Sequence, residues 1–120
     1  MNRVFVDASY SPQHQIAVIA WLTPAEDQVS TRIFPCIGCA EAEKYAVQLG
    51  VEHLLGLGFK DGIIYSDHQG LLKLNIPAGF HIEWIKGHDK KINKVTEEKI
   101  LFSKVDRAAR KQLRQLVKQN

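Results

Sequence analysis

The chain has 120 residues, 45% of them hydrophobic and 24% charged, which is typical of one globular domain, here spanning residues 1–120. No apolar stretch approaches the ~20 residues of a membrane span, and the N-terminus lacks the features of a signal peptide. We therefore predict a cytoplasmic monomer that makes no contact with membranes.

The basic charge is concentrated near the C-terminus. Residues 86–118 contain 11 Lys and Arg against 4 acidic residues, a net +7, whereas the other 87 residues carry 5 against 9, a net −4. Such segregation is the electrostatic pattern of proteins that bind a polyanion, most often nucleic acid. A solvated basic helix with no partner would give the same pattern, and charge alone does not decide between the two.

The first half of the chain predicts three strands and a helix. Apolar runs near residues 3–9, 16–22 and 29–34 are separated by turn-like sequences at 10–13 and 23–24. Because these connections are short, we expect antiparallel neighbours. A helix over residues 40–56 follows and ends at the stop signal of residues 56–58.

The second half predicts two more strands and two helices. A buried strand near residues 62–66 precedes a short helix over residues 68–74. Phe80, Ile82 and Trp84 then alternate with polar residues, as in a strand with one buried face. A final helix begins near Thr96 and carries an apolar stripe formed by Leu101, Val105, Ala109, Leu113 and Leu116. The order βββαβαβα predicts an α/β fold with a five-stranded mixed sheet flanked by helices.

Four acidic residues lie where four different elements would bring them together: Asp7, Glu43, Asp67 and Asp106. Asp7 and Asp67 follow apolar strand-like runs, and ligands of open parallel sheets bind beyond the carboxyl ends of strands. A cluster of carboxylates with no matching set of Cys and His favours Mg²⁺ or Mn²⁺ over zinc.

Helix geometry distinguishes Glu43 from its neighbour Glu41. The positions three, four and seven residues after Glu43 are Ala46, Val47 and Gly50, so this face can lie close against the sheet. The corresponding positions after Glu41 are larger or polar. We therefore expect Glu43 to point inward and Glu41 to be solvated.

Structural alternatives remain open for single members of this set. Asp106 has Arg110 four residues later, and a surface ion pair would explain both residues. Asp7 and Asp67 could each be a turn residue at a strand end. The joint pattern favours a functional site. His88, in a loop after the last strand, could transfer protons or help a product leave.

The chain resembles type 1 ribonuclease H, the ribonuclease HI group, over nearly its whole length. The matching segments are residues 4–9, 42–51, 64–69, 83–88 and 105–110, in family order. The resemblance implies a ribonuclease H-like fold and endonucleolytic hydrolysis of the RNA strand of RNA/DNA hybrids, leaving 5′-phosphate ends. It places Asp7, Glu43, Asp67 and Asp106 at the family's four acidic positions, with two Mg²⁺ ions (or Mn²⁺) as cofactors, and His88 at its loop histidine.

Nucleic-acid contacts are expected beside this site. Gln69 and Lys86 lie in the matching segments, and the basic helical insertion of some members is missing, since only a short loop joins residues 74 and 80. We expect Lys90, Lys91 and Lys94 to provide part of the phosphate binding instead.

Two other functional classes share some of these sequence features. A catalytically impaired ribonuclease H-like module that binds nucleic acid or protein is the main alternative. A phosphoacceptor receiver domain is disfavoured because it needs strands and helices that alternate from the start.

Cys36 and Cys39 form one C-x-x-C without a second pair of ligands, so two reduced, packed thiols are favoured over a redox or zinc role.

Overall fold

The computed structural model describes residues 2–85 and 96–118, without the side chains of residues 72 and 73. Its elements are β1 (Arg3–Ser11), β2 (Ile16–Leu22), β3 (Ser30–Pro35), α1 (Cys39–Gly56), β4 (Gly62–Ser66), a 3-10 helix (Gln69–Lys73), β5 (Phe80–Trp84) and α2 (Glu97–Lys118). The predicted α/β class and five-stranded mixed sheet are confirmed. The short helix predicted near residues 68–74 is a single 3-10 segment, so the described chain has two α-helices.

The sheet has the strand order β3-β2-β1-β4-β5. The first three strands pair antiparallel, as their short connections predicted, whereas β1 pairs with β4 and β4 with β5 in parallel. This mixed topology differs from the alternating strands and helices of a receiver domain. The turn predicted at residues 10–13 begins later than expected, because β1 continues through Ser11 in antiparallel pairing with β2.

Each face of the sheet is covered by one helix. On one face α1 packs against Val4, Val6 and Ile64 in one apolar cluster. On the other face, Phe5, Val18 and their neighbours pack against the predicted apolar stripe of α2. Alternate residues of β1 thus enter opposite layers, as the pleat of a strand requires.

Both helices are fixed closely to the central strands. A Cβ built on Gly50 of α1 would lie 2.8 Å from Cγ1 of Val6, so the helix backbone approaches β1 where glycine leaves room. Arg3 of β1 forms ion pairs with Glu97 and Glu98 in the first turn of α2, at 3.3 Å and 3.2 Å. Among the described residues, no helix is both long and apolar enough to cross a membrane.

Candidate metal centre

The parallel pairing of β1 with β4 determines where the acidic residues lie. Its last paired position joins Phe5 to Tyr65, whose rings stack with centroids 4.7 Å apart. Extending this register places Asp7 level with Asp67, two residues beyond that pair. β4 ends at Ser66, whereas β1 continues beside β2, so Asp67 follows the carboxyl end of its strand and Asp7 lies within β1.

Three carboxylates converge at the carboxyl end of β4. Asp7, Glu43 and Asp67 each offer one oxygen, and these oxygens lie within 4.8 Å of one another. Asp7 is buried, with 4% of its surface exposed, and the other two are half-buried. This triad could hold a metal ion.

Glu43 reaches the triad because its face of α1 is the one that packs on the sheet. Gly50 follows it by seven residues and makes the close approach to β1 described above. Glu41 lies outside the triad, and it hydrogen bonds to the hydroxyl of Tyr45 on the same helix, which raises the pKa of that phenol. The choice of Glu43 as the inward carboxylate agrees with this placement.

Backbone and side-chain hydrogen bonds hold Asp67 in position after β4. Trp84 of β5 donates its indole N–H to the carbonyl of Asp67 at 3.0 Å. The N–H of Ile85 donates to the carbonyl of Ser66 at 2.8 Å, and the Ser66 hydroxyl accepts the N–H of His68 at 3.2 Å. The segment that carries Asp67 is therefore fixed by the neighbouring strand.

Asp106 lies beside the triad on α2. Its carboxylate hydrogen bonds to Asp7. Alternate residues of β1 face the same side of the sheet, so Asp7 lies on the side of Phe5, which packs against α2. Arg110 pairs with Asp106 at 3.2 Å, so the ion pair considered as a structural alternative is present. Asp106 thus contacts both the triad and a cation of its own helix.

Burial makes the charged form of the triad unfavourable. For Asp7, burial, the hydrogen bond to Asp106 and the negative charges of its two triad partners raise the pKa to about 9. For Glu43, burial followed by the charge of Asp67 raises the pKa to about 8. Both shifts favour the protonated forms of Asp7 and Glu43 in the metal-free protein.

The donor set fits a hard divalent cation. Within the described chain, Oε2 of Glu43 is a buried oxygen with no hydrogen-bond partner. A buried acceptor of this kind is unfavourable unless a proton or a cation meets it. The triad offers only carboxylate oxygens, which suit Mg²⁺ or Mn²⁺.

Other predicted residues have different placements. Gln69 is exposed at the start of the 3-10 helix, two residues after Asp67. His88, Lys86, Lys90, Lys91 and Lys94 lie outside the described residues. Both cysteines are free, but only one is packed as expected: Cys36 is buried in the apolar cluster that includes α1, whereas Cys39 is exposed at the first position of α1.

The role of Trp84 was missed in the sequence. Its alternation with Phe80 and Ile82 predicted a buried side chain, but Trp84 is 41% exposed. The prediction of a buried side chain was wrong; Trp84 is the last residue of β5, which is an edge strand with a neighbouring strand on one side alone. An aromatic residue with a polar N–H at the end of an edge strand is the signal that could have suggested a role near Asp67.

Comparisons with known proteins add no family assignment. No protein-family model matches the chain, and no curated protein matches it.

Proposed function

We propose that this chain is a metal-dependent endoribonuclease with a ribonuclease H-like fold, which hydrolyses the RNA strand of RNA/DNA hybrids. The observation that carries the proposal is the convergence of Asp7, Glu43 and Asp67 at the end of β4, with their oxygens within 4.8 Å of one another. The five ribonuclease H-like segments of the sequence supply the choice of reaction and substrate.

The topology supports the proposal. Three antiparallel strands lead into α1, and β4 and β5 then add in parallel on the other side of β1. The element order agrees with the βββαβαβα plan on which the resemblance rests, except that a 3-10 segment stands in place of the second helix. Asp106 approaches from α2 on the opposite layer from Glu43.

Mg²⁺ is the cofactor that we propose, with Mn²⁺ as its substitute and two ions per site. When bound, such ions would activate the attacking water and stabilise the leaving 3′ oxygen of the RNA. Asp7, Glu43 and Asp67 would hold them, and Asp106 is placed to contribute as a fourth carboxylate. Arg110 pairs with Asp106 and places a positive charge beside this fourth carboxylate.

The residues at the start of α1 bear on substrate choice. Cys39 lies four residues before Glu43, so the two project from one side of the helix, and both Cys39 and Ala40 are exposed. A hybrid bound at the triad would bring its minor groove near this turn, where 2′-hydroxyls distinguish RNA from DNA. We propose that this turn contacts the substrate through its small side chains and backbone.

The test is cleavage of an end-labelled RNA/DNA hybrid, beside RNA/RNA and DNA/DNA duplexes of the same sequence. We expect cuts only in the RNA of the hybrid, 5′-phosphate products, and no reaction in a metal chelator. Asp7→Asn, Glu43→Gln and Asp67→Asn should each remove activity, because losing a ligand unbalances a metal site. Glu41→Gln is the matched control on α1 and should cut like the wild type.

Two outcomes would contradict the proposal. Near-normal cleavage by any of the three triad variants would exclude the triad as the catalytic centre. Hybrid binding without metal-dependent cleavage would favour the alternative of a catalytically impaired binding module.

A further inference from the structure

The outer face of α2 carries a row of exposed cations that the candidate metal centre does not use. We call it the basic stripe, and it consists of Lys104, Arg107, Lys111, Arg114 and Lys118. At 3.6 residues per turn these five positions fall within an arc of about 80°, and at 1.5 Å per residue they extend over about 21 Å. The stripe is therefore a nearly straight line of positive charge along one side of the helix.

The stripe does not stabilise the helix that carries it. Neighbours such as Lys104 and Arg107, or Arg107 and Lys111, are like charges three or four residues apart, and such pairs destabilise a helix. The helix dipole favours cations only in the last turn, so it accounts for Lys118 but not for the earlier members. A charge pattern that weakens its own helix points to an external partner.

The stripe also has no ion-pair partner within the described part of the chain. In residues 2–85 and 96–118, no ion pair involves any of its five members. The acidic residues of α2 are engaged elsewhere, since Glu97 and Glu98 pair with Arg3 and Asp106 with Arg110. Among the described residues, no acidic group competes with a ligand for these five charges.

We propose that the basic stripe binds the phosphate backbone of a nucleic-acid duplex. A straight row of cations fits a linear polyanion, and B-form DNA carries one negative charge per ~1.7 Å of its axis. A membrane surface fits less well, because an interfacial helix inserts its apolar face, and that face of α2 is packed against the sheet.

The position of the stripe connects it with the candidate metal centre. Around α2, Arg110 lies between the stripe and Asp106, and Asp106 in turn contacts Asp7. One helix thus carries both the stripe and a carboxylate beside the triad, and the stripe would contact substrate phosphates away from the scissile bond. This part of the inference rests on the proposed function, whereas binding to the stripe can be tested without any cleavage.

The experiment is fluorescence anisotropy in a metal chelator, with labelled DNA/DNA and RNA/DNA duplexes of about 20 base pairs and salt from 50 to 200 mM. The stripe variant is Arg107→Gln/Lys111→Gln. The control is Arg32→Gln/Lys60→Gln, which removes the same charge from exposed positions on β3 and after α1. Arg107→Lys keeps the charge and should behave as wild type.

We expect the stripe variant to bind both duplexes more weakly and with a flatter salt dependence. Each lost phosphate contact lowers the slope of log affinity against log salt by about 0.9 on B-form DNA, so two lost contacts lower it by about 1.8. If the variant and the wild type bind equally at 1 M salt, this difference in slope makes the variant bind on the order of 60-fold more weakly than the wild type at 0.1 M salt. The control should keep most of the wild-type slope.

Three results would overturn the inference: an unchanged slope and affinity in the stripe variant, an equal loss in the control, or binding to anionic lipid vesicles as tight as to the duplexes. Failure of the proposed function is distinguishable from these. The wild type could show a salt slope that the stripe variant flattens and yet cut no hybrid in Mg²⁺. That result would support duplex binding by the stripe and contradict the proposed nuclease activity.

Discussion

Replacing Asp7 with Asn should stabilise the metal-free protein and at the same time remove its response to divalent ions. Burial, the hydrogen bond to Asp106 and nearby negative charge raise the Asp7 pKa from 3.8 to about 9, so folding forces the carboxyl to take up a proton. The stability that this group contributes is fully present below pH 3.8 and is lost as the pH rises through about 9. Asparagine is neutral at every pH and avoids this loss.

The size of the effect follows from the pKa difference. Each pH unit above 3.8 lowers the free energy of unfolding by about 1.36 kcal/mol, which gives about 4 kcal/mol at pH 7 as an upper limit. Even a quarter of that value would raise the Tm of a domain of this length by about 4 °C. The gain should grow from pH 5 to pH 8 and vanish near pH 4.

Thermal unfolding of the two proteins in chelator and in Mg²⁺ is the assay. Mg²⁺ should raise the Tm of the wild type, because the ion binds the folded state and displaces protons from the triad, and it should leave Asp7→Asn unchanged. Asp27→Asn, an exposed aspartate in the β2–β3 connection, is the control and should behave as wild type in both conditions. A metal-free Asp7→Asn protein less stable than wild type at pH 7, or an equal Mg²⁺ response in both, would refute the reasoning.

Three further predictions concern other parts of the chain. Gly50→Ala should lower the free energy of unfolding by about 1–3 kcal/mol, because its Cβ would meet a β1 valine methyl at 2.8 Å. Gly56→Ala on the same helix meets nothing within 4 Å and should leave stability equal or higher in urea titrations. Burial raises the pKa of Glu26, but hydrogen bonds from Thr23 together with the interaction with His53 outweigh it and lower the pKa. Glu26→Gln should therefore lose stability at pH 7 in the same titrations, and its difference from the wild type should shrink as the pH falls through the lowered pKa. His88→Ala should slow multiple-turnover cleavage without changing the Mg²⁺-induced rise in Tm. If the variant cleaved at the wild-type rate, His88 would have no role in catalysis or product release.

Local spacing along the chain was enough to predict the elements. Apolar runs, with period-two alternation in the last of them, predicted the five strands to within a few residues. The apolar stripe of α2 predicted its buried face, because such patterns reflect geometry within a single element. The choice of Glu43 over Glu41 was also local, because it depended on Gly50, a small residue on the same face of α1 as Glu43.

The contacts of the site depended on the tertiary structure. The level placement of Asp7 and Asp67 follows from the β1–β4 register, and β1 continues past Asp7 because β2 is its other partner. The raised pKa values, the contact of Asp106 with Asp7 and the bond from Trp84 to Asp67 join residues that are distant in sequence. Periodicity reports which side of an element is buried, but it carries no information about which element lies opposite or how deeply a carboxylate is enclosed, and these two quantities set the chemistry of the triad.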